Sequence, residues 1–247
     1  MDGLRVAVSC LTILPVRSKG PPSEKDCGRS LAWFPVVGLL IGAILVGVAT
    51  LAAPVTPPLA VAAWIVVVWV VVTGGLHLDG FADVCDGLYG GRTPAERLRI
   101  MKDPHLGAVA VIGLILLLLL KWTLVSSVPG AVMGPALCLS PCLGRYAMVL
   151  AASTLPSAGP AKGMAAPFVR GARPEGVWMA TGVALVASWL LLAWSGLVLS
   201  VVVIFSVMLV RSGIQRALGG VTGDVLGAVG EVIEVVVLAG LVIMFGA

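Results

Sequence analysis

Charged residues are scarce in this chain of 247 residues, and their scarcity decides its class. Asp, Glu, Lys and Arg together make up 11% of the sequence, whereas hydrophobic residues make up 59%. A soluble domain carries about 25% charged residues, so the composition excludes a globular core surrounded by water. It predicts an all-α polytopic integral membrane bundle in contact with the lipid bilayer, with residues 1–247 forming one membrane-embedded domain.

Histidine is rare as well, and the cysteines lack the spacing of a metal or disulfide motif. Only His77 and His105 are present, so no histidine stands with a serine or cysteine in the pattern of a nucleophilic active site. The five cysteines contain no Cys-x-x-Cys pair, which disfavours a zinc site or a disulfide framework. The formal net charge is only +4 and no basic run is long, so we expect no nucleic-acid partner.

The first sixteen residues lack two features of a secretory signal peptide. No basic region precedes their apolar part, and no small-residue cleavage site follows it. Asp2 and Arg5 interrupt the apolar residues instead. This pattern favours an amphipathic helix at the membrane interface.

Long apolar segments predict the number of membrane crossings. Taking about 20 apolar residues as one crossing, we expect seven transmembrane helices, within a range of six to eight. The fifth and sixth come from one apolar run that is too long for a single crossing, and Ser195-Gly196 is the expected break. The predicted spans are 31–53, 58–76, 107–128, 132–155, 177–194, 196–211 and 225–246.

Lys and Arg are distributed unevenly between the connections, which predicts the orientation. The connections near 54–57, 129–131 and 195–196 contain neither residue. With seven spans, all the basic connections fall on one side of the membrane, and that side is expected to be the cytoplasm. Their basic residues are Arg5, Arg17, Lys19, Lys25, Arg29, Arg92, Arg97, Arg99, Lys102, Lys162, Arg170, Arg173, Arg211 and Arg216.

A polar stretch, His77–Gly87, follows the apolar second span directly. If it is helical, Asp79, Asp83 and Asp86 stand at positions i, i+4 and i+7 and share one face within about 60°. Carboxylates stacked in this way repel one another, which favours a bound cation. Oxygen ligands without a nearby thiol or imidazole cluster indicate Mg²⁺, with Mn²⁺ as the alternative. His77 adjoins this motif as a base, a ligand or only a helix-end residue.

The loop after the aspartates carries the signature of a new helix. Thr93-Pro94-Ala95-Glu96 combines an N-cap threonine, a proline at the first helical position and a glutamate two residues later. We expect a short cytoplasmic helix from about 94 to 102. Glu96 is therefore interpreted as a cap and not as a catalytic acid.

Basic residues at the end of this short helix suggest phosphate binding. Lys102 and its neighbour Asp103 stand near the next membrane entry, where a lysine can hold a phosphate or can instead extend along the membrane surface. Arg97 is a weaker candidate for the same role. Its simpler interpretation is a position on a solvated helix face.

A second polar group opens the last span. Gly219, Gly220 and Thr222 form a glycine-rich turn before a helix, whose first backbone N–H groups can bind an anion. Asp224 and Glu231 are seven residues apart and share a face, whereas Glu234 lies deeper in the span. A charge inside a membrane costs about 3 kcal/mol on insertion scales. These glutamates therefore either serve the chemistry or pair structurally with Arg145 or Lys121.

These motifs resemble those of the cobalamin synthase family. The resemblance is carried by residues 74–83 with Asp86-Gly87, by Glu96-Arg97 and Ile100-Met101-Lys102-Asp103, and by Thr222-Gly223-Asp224 with Gly227-Ala228 and Glu231. Shorter matches at Thr12-Ile13-Leu14-Pro15 and Phe34-Pro35 extend it over most of the chain.

The resemblance implies a reaction and a set of roles. Members of that family join α-ribazole, or its 5′-phosphate, to adenosylcobinamide-GDP and release GMP, with Mg²⁺, in the bacterial cytoplasmic membrane. It implies that the metal ligands are Asp79, Asp83, Asp86 and Asp224. It implies that Lys102 and, less directly, Arg97 hold phosphate oxygens and that Glu231 or His77 is the base. From the polar stretches themselves we also expect Asp103, Gly219, Gly220 and Thr222 in the substrate site.

Two other classes of membrane protein use similar residues. A CDP-alcohol phosphotransferase also combines aspartates, Mg²⁺ and membrane helices, but its pattern has an arginine where Asp83 stands. A secondary transporter uses broken helices and intramembrane acids but predicts inverted repeats, which this sequence does not show. Formation of a homo-oligomer is left open.

Overall fold

A computed structural model describes residues 3–16, 21–158, 163 and 165–246. Within these residues the chain forms eleven α-helices, one short 3-10 helix at Leu31–Trp33 and no strand beyond a single bridged pair. The prediction of an all-α membrane bundle is therefore confirmed. The α-helices are α1 (Gly3–Leu11), α2 (Glu24–Ser30), α3 (Phe34–Ala52), α4 (Pro58–Val72), α5 (Leu76–Gly90), α6 (Pro94–Ile100), α7 (Ala108–Ser127), α8 (Gly130–Thr154), α9 (Ala166–Gly171), α10 (Pro174–Leu218) and α11 (Gly223–Phe245).

Helix α8 is the centre of the bundle. Its residues from Ala136 to Ala152 are nearly all buried, and it packs against α3, α10 and α11. Gly38 and Gly42 of α3 lie against the α8 backbone, at Pro141–Cys142 and Leu137–Cys138, so closely that a Cβ at either glycine would collide with it. Such contacts between small residues and backbone are a common basis of helix association in lipid.

In the part of the chain that the structure describes, five helices are long and apolar enough to cross a membrane, or six if α4 and α5 are counted together as one bent span. The bend between α4 and α5 is 88°. We place α5 outside the span, because it carries three aspartates and lies with the polar connections at one end of the bundle. The count of seven spans remains a prediction.

The apolar run that was expected to contain a break does contain one. Helix α10 extends over 45 residues, but Ala193 has the non-helical angles φ 48° and ψ −130°. The side-chain oxygens of Ser188 and Ser200 are 2.7 Å apart, whereas residues twelve apart in a straight helix are separated by about 18 Å. The chain therefore folds back on itself, two residues before the predicted break at Ser195-Gly196.

The basic connections meet at one end of the bundle. Arg170 of α9 forms an ion pair with Glu24 of α2 at 2.9 Å. Arg97 of α6 donates from Nη1 to the carbonyl of Ala217 near the end of α10 at 3.1 Å. The prediction that these segments share one side is thus supported by contacts, although Arg17, Lys19 and Lys162 lie outside the described residues. We call this end the polar end, and its cytoplasmic location stays a prediction.

Two of the predicted short helices are present. Helix α6 begins after Thr93, whose Oγ1 accepts from the N–H of Glu96 at 3.2 Å, while Glu96 accepts from the N–H of Arg92 at 2.9 Å. The predicted cap is confirmed, and the helix ends at Ile100, two residues before the expected end. Helix α1 buries Val6, Ala7 and Leu11 against the bundle, and its interfacial position stays a prediction.

Candidate active site at the polar end

Helix α5 brings its three aspartates to one face, as their spacing predicted. The helix extends from Leu76 to Gly90 without interruption and follows a turn in which Gly74 and Gly75 have φ near +65°. Gly80 lies on the first turn of α11, where a Cβ on Gly80 would stand 2.7 Å from the Cα of Asp224. This close approach adds a fourth acidic residue from a distant part of the chain.

The electrostatics of Asp83 reflect this grouping. The pKa of Asp83 is raised to about 6, first because the side chain is partly removed from water and then because Asp224, Asp79 and Asp86 repel its negative charge. Asp79 itself is exposed. The four carboxylates therefore act on one another as a group, which makes this region attractive to a cation.

Asp86 has backbone partners that the sequence did not indicate. Its two carboxylate oxygens accept hydrogen bonds from the N–H groups of Gly107 at 2.6 Å and of Ala110 at 2.9 Å. These donors belong to the first turn of α7, which has no side-chain cap of its own. Asp86 thus caps α7 from a neighbouring helix, and both of its carboxylate oxygens are engaged by that helix.

A cavity of about 130 Å³ lies on one side of Asp224. Its polar lining includes Lys102, Ser157, Thr222 and Asp224, and Gly223 contributes backbone. Thr222 caps α11 by accepting from the N–H of Val225 at 3.2 Å and donates to Asp224 Oδ2 at 3.2 Å. The exposed ammonium of Lys102 and the start of α11 therefore face one volume, and we call it the Lys102 cavity.

The glycines before α11 serve the backbone geometry. Gly219 has φ 79° and Gly220 has φ 154°, and a Cβ at Gly220 would collide with the carbonyl of Pro156. The adjacent Val221 exchanges backbone hydrogen bonds with residues 156 and 158, both at 2.8 Å. Neither glycine lines the Lys102 cavity, so their contribution within the described region is to shape the turn that carries Thr222 and Asp224.

Two other predicted substrate residues are engaged elsewhere. Arg97 donates from Nε to the carbonyl of Gly91 at 2.9 Å as well as to Ala217, so its guanidinium ties α6 to its neighbours. Asp103 is exposed and accepts from both the N–H and the ring of His105. These bonds lower the pKa of Asp103, the backbone N–H contributing most. Neither side chain lines the Lys102 cavity.

Four fully buried charges form a cluster deeper in the bundle. Lys121 of α7 pairs with Glu231 at 2.5 Å and with Glu234, and Arg145 of α8 also pairs with Glu234. Two cations and two anions make the cluster neutral overall. The structural alternative considered for the glutamates is therefore confirmed. Glu231 lines neither the Lys102 cavity nor the cavity that contains His77, and its role as a base stays a prediction.

His77 joins this buried cluster to the polar end. Its Nδ1 lies 3.1 Å from Nη2 of Arg145, and its backbone touches Gly227 of α11. The side chain is 3% exposed and lines a second cavity next to Asp224. Of the two candidate bases, only His77 lies beside the acidic group.

Comparison with known proteins decides the family. Residues 3–242 match the family described as cobalamin-5-phosphate synthase. The chain belongs to this family. It is 40% identical to the adenosylcobinamide-GDP ribazoletransferase of Ectopseudomonas mendocina, over 96% of this chain and 97% of that protein. The proteins of the same name from Pseudomonas syringae pv. syringae and Chlorobium phaeobacteroides are 38% and 40% identical, covering 97% and 96% of this chain and 98% and 96% of theirs. No solved structure matches it.

Membership of the cobalamin-5-phosphate synthase family makes the chain an enzyme. It also decides against the two rival interpretations, a CDP-alcohol phosphotransferase and a secondary transporter. The resemblance drawn from the aspartate motif and the α11 motif is thereby confirmed over nearly the whole chain.

The acidic residues of this family member suit a hard cation in chemistry but do not form a closed cage. Their donors are carboxylate oxygens, which Mg²⁺ prefers. Over residues 3–16, 21–158, 163 and 165–246, however, no three His, Cys, Asp or Glu side chains are arranged around a common ion position. Mg²⁺ is commonly bound by one or two carboxylates, waters and substrate phosphates, so the donors fit an open site that uses one or two of Asp79, Asp83 and Asp224 together with the substrate.

Sequence reasoning missed the residues that surround His77. Arg145 was considered only as a partner of the glutamates, although a lone arginine inside an apolar span is itself a sign of a buried polar contact. Phe34 and Phe168 also line the second cavity. Phe34 was noted only as part of a family match, and Phe168 lies in a segment where nothing in the sequence separates it from the core.

Proposed function

We propose that the chain is an Mg²⁺-dependent adenosylcobinamide-GDP ribazoletransferase. It joins α-ribazole, or α-ribazole 5′-phosphate, to adenosylcobinamide-GDP and releases GMP at the cytoplasmic face of the bacterial inner membrane. The observation that carries the proposal is the meeting of the α5 aspartates with Asp224 and the Lys102 cavity. The names of the curated relatives support the same substrates.

The reaction exchanges one phosphorus–oxygen bond for another. A ribose hydroxyl of the acceptor attacks the phosphorus next to the cobinamide, and the bond from that phosphorus to the bridging oxygen breaks. GMP leaves with the bridging oxygen, and the hydroxyl proton passes to a base or to water. Because the 5′-phosphate is also proposed as an acceptor, the attacking oxygen is a hydroxyl of the ribose ring.

The residues of the polar end have separate tasks in this reaction. Asp79, Asp83 and Asp224 would hold the ion, while Lys102 holds phosphate oxygens of the diphosphate from the adjoining cavity. Held there, Mg²⁺ would neutralise the negative charge of the diphosphate and would lower the pKa of the attacking hydroxyl. Gly223 and Asp224, which open α11, line the Lys102 cavity, so the positive end of the helix dipole would favour the leaving phosphate.

The supporting residues keep these groups in place. Asp86 secures the start of α7, and Thr222 secures the start of α11 and orients Asp224. Small displacements of such groups are costly, because misplacing a reacting group by 1 Å can reduce a rate by about 100-fold. Asp86 is therefore assigned to the scaffold first, and its direct contact with the metal remains a prediction.

The experiment is an assay of the purified, detergent-solubilised protein with adenosylcobinamide-GDP, α-ribazole and Mg²⁺. We expect GMP and adenosylcobalamin in equal amounts, loss of both after treatment with a chelator, and recovery when Mg²⁺ is restored. Asp79→Asn and Asp83→Asn should abolish turnover in protein that remains folded and inserted. Absence of GMP, together with reaction of a CDP-alcohol, would refute the proposal.

A further inference from the structure

The second cavity beside Asp224 has a character different from that of the Lys102 cavity. It has a volume of about 300 Å³, at the lower end of the range of about 300–1,000 Å³ typical of small-molecule sites. Helices α1, α3, α5, α8, α9 and α11 all contribute to its wall. The rings of Phe34 and Phe168 meet edge to face with centroids 5.8 Å apart, so part of the wall is aromatic. We call it the His77 cavity.

The two cavities share one wall. Gly223, Asp224 and Ala165 line both of them. A ligand in the His77 cavity can therefore reach the acidic group and the Lys102 cavity with one end while its other end stays among apolar side chains. This arrangement suits a molecule with a flat apolar ring at one end and hydroxyl groups at the other.

The protonation of His77 is determined by its contact with Arg145. A guanidinium group has only hydrogen-bond donors, so Nδ1 of His77 must be the acceptor in the 3.1 Å contact with Arg145 Nη2. The proton of the neutral ring then lies on Nε2. Among the described residues, Nδ1 has this partner and Nε2 has none.

The buried charge cluster keeps this arrangement rigid. Arg145 is fully buried and paired with Glu234, which is also bound by Lys121. Turning the guanidinium away from His77 would require breaking an ion pair inside the bundle, and loss of one partner of such a pair is strongly unfavourable. His77 consequently offers an N–H group to the cavity in a fixed direction.

We propose that the His77 cavity binds the aromatic nucleoside acceptor, and that the Nε2–H of His77 donates a hydrogen bond that orients it. The base lies against Phe34 and Phe168, and the ribose points towards Asp224. This assignment rests on the proposed function and names the acceptor site within it. His77 then acts as a hydrogen-bond donor to the substrate, in place of the general base that the sequence suggested.

Equilibrium binding of α-ribazole in the absence of adenosylcobinamide-GDP tests the site directly. Isothermal titration calorimetry should give a Kd that increases about tenfold in His77→Phe, which keeps a flat ring but removes the donor. His77→Gln keeps an N–H group and should stay within about threefold of the wild type. Phe168→Ala should also weaken binding, whereas Lys102→Gln, in the other cavity, should leave the Kd for α-ribazole unchanged.

The outcomes separate this proposal from the proposed function. Unchanged binding in His77→Phe and Phe168→Ala, with normal GMP release by the wild type, would overturn the site and leave the function standing. Wild-type binding that depends on both residues, without GMP release from adenosylcobinamide-GDP, would support the site and refute the function. Loss of α-ribazole binding in Lys102→Gln, but not in His77→Phe or Phe168→Ala, would overturn the site and assign the acceptor to the Lys102 cavity.

The tautomer of His77 can be observed spectroscopically because the chain has only two histidines. In protein labelled with ¹⁵N-histidine, His105→Gln removes the other signal, from an exposed residue that lines neither cavity. We expect the remaining ring to carry its proton on Nε2, and the Nε2 resonance to shift when α-ribazole is added. A proton on Nδ1, or no response to α-ribazole, would overturn the assignment of His77 as the donor.

Discussion

Asp224 approaches Gly80 so closely that its Cα lies 2.7 Å from the position that a Cβ on Gly80 would occupy. This contact joins α5 to the first turn of α11, and it depends on the absence of a side chain at residue 80. Through it, an acidic residue near the end of the chain reaches the aspartates of the central motif. The geometry of the proposed metal site therefore depends on one glycine.

Gly80→Ala should reduce turnover by at least about tenfold, because α5 and α11 must separate to admit the methyl group and the carboxylates then move apart. Gly182→Ala is the matched control, since a Cβ on this helical glycine meets nothing within 4 Å. Turnover of both variants is measured as GMP release, after detergent-solubilised protein of each has been shown to be monodisperse. Equal rates for Gly80→Ala and the wild type would contradict the importance of this contact.

The pKa of Asp83 predicts how stability depends on pH when no divalent ion is present. The pKa of an aspartate is about 3.9 in an unfolded chain and about 6 for Asp83 in the fold. Between these values the folded state binds the proton more tightly, so the free energy of unfolding should decrease as the pH rises from about 4 to 6.

Asp83→Asn resembles the protonated form and should remove this part of the pH dependence. In a chelating buffer above pH 6 its Tm should therefore exceed that of the wild type. Thermal unfolding followed by tryptophan fluorescence over this pH range provides the measurement. Parallel pH profiles for the two proteins would contradict a raised pKa of Asp83 in the folded state.

Asp86→Ala should affect stability as well as turnover, because it removes the cap of α7. Loss of a helix cap costs about 0.5–2 kcal/mol, and here the N–H groups of Gly107 and Ala110 both lose their partner. We expect a lower Tm in a chelating buffer, where Asp83→Asn has the opposite effect. An unchanged Tm in Asp86→Ala would mean that its carboxylate is not needed at α7.

The buried charge cluster should respond to substitution in a strongly non-additive way. Lys121→Met leaves Glu231 without its partner and should cost about 3–5 kcal/mol of stability. The double variant Lys121→Met/Glu231→Gln removes one charge of each sign and leaves the pair of Arg145 and Glu234, so it should be more stable than Lys121→Met alone.

Thermal unfolding of the wild type, Lys121→Met, Glu231→Gln and the double variant gives the coupling free energy between Lys121 and Glu231. A double variant that is destabilised, relative to the wild type, by the sum of the two single-variant effects would contradict the pairing. The same proteins test Glu231 as a base. If Glu231 is the base, the double variant will lack turnover even though it has regained its stability.

The proposed orientation can be tested with single cysteines at opposite ends of the bundle. Tyr89 in α5 and Val55 between α3 and α4 are both 79% exposed. In a background without the native cysteines, Tyr89→Cys should react with a membrane-impermeant maleimide only in inverted membrane vesicles, and Val55→Cys only in intact spheroplasts. The reverse labelling pattern would place the polar end outside the cytoplasm.

Much of the fold follows from local patterns. Long apolar runs predict the spans, Thr93 and Pro94 predict the start of α6, and the spacing of Asp79, Asp83 and Asp86 predicts their common face. Each of these depends on residues within one or two helical turns, where steric and hydrogen-bonding rules act on the chain directly. Together these motifs are specific enough to indicate the family.

Contacts between distant segments could not be obtained in this way. The capping of α7 by Asp86, the close fit of Gly80 on Asp224 and the binding of Arg145 to His77 each join residues from different helices. Their formation depends on how the helices pack, and packing is a property of many side chains at once. A carboxylate that suits a metal suits a helix N-terminus equally well, so residue type and spacing specify the chemistry available, while the folded arrangement selects the partner.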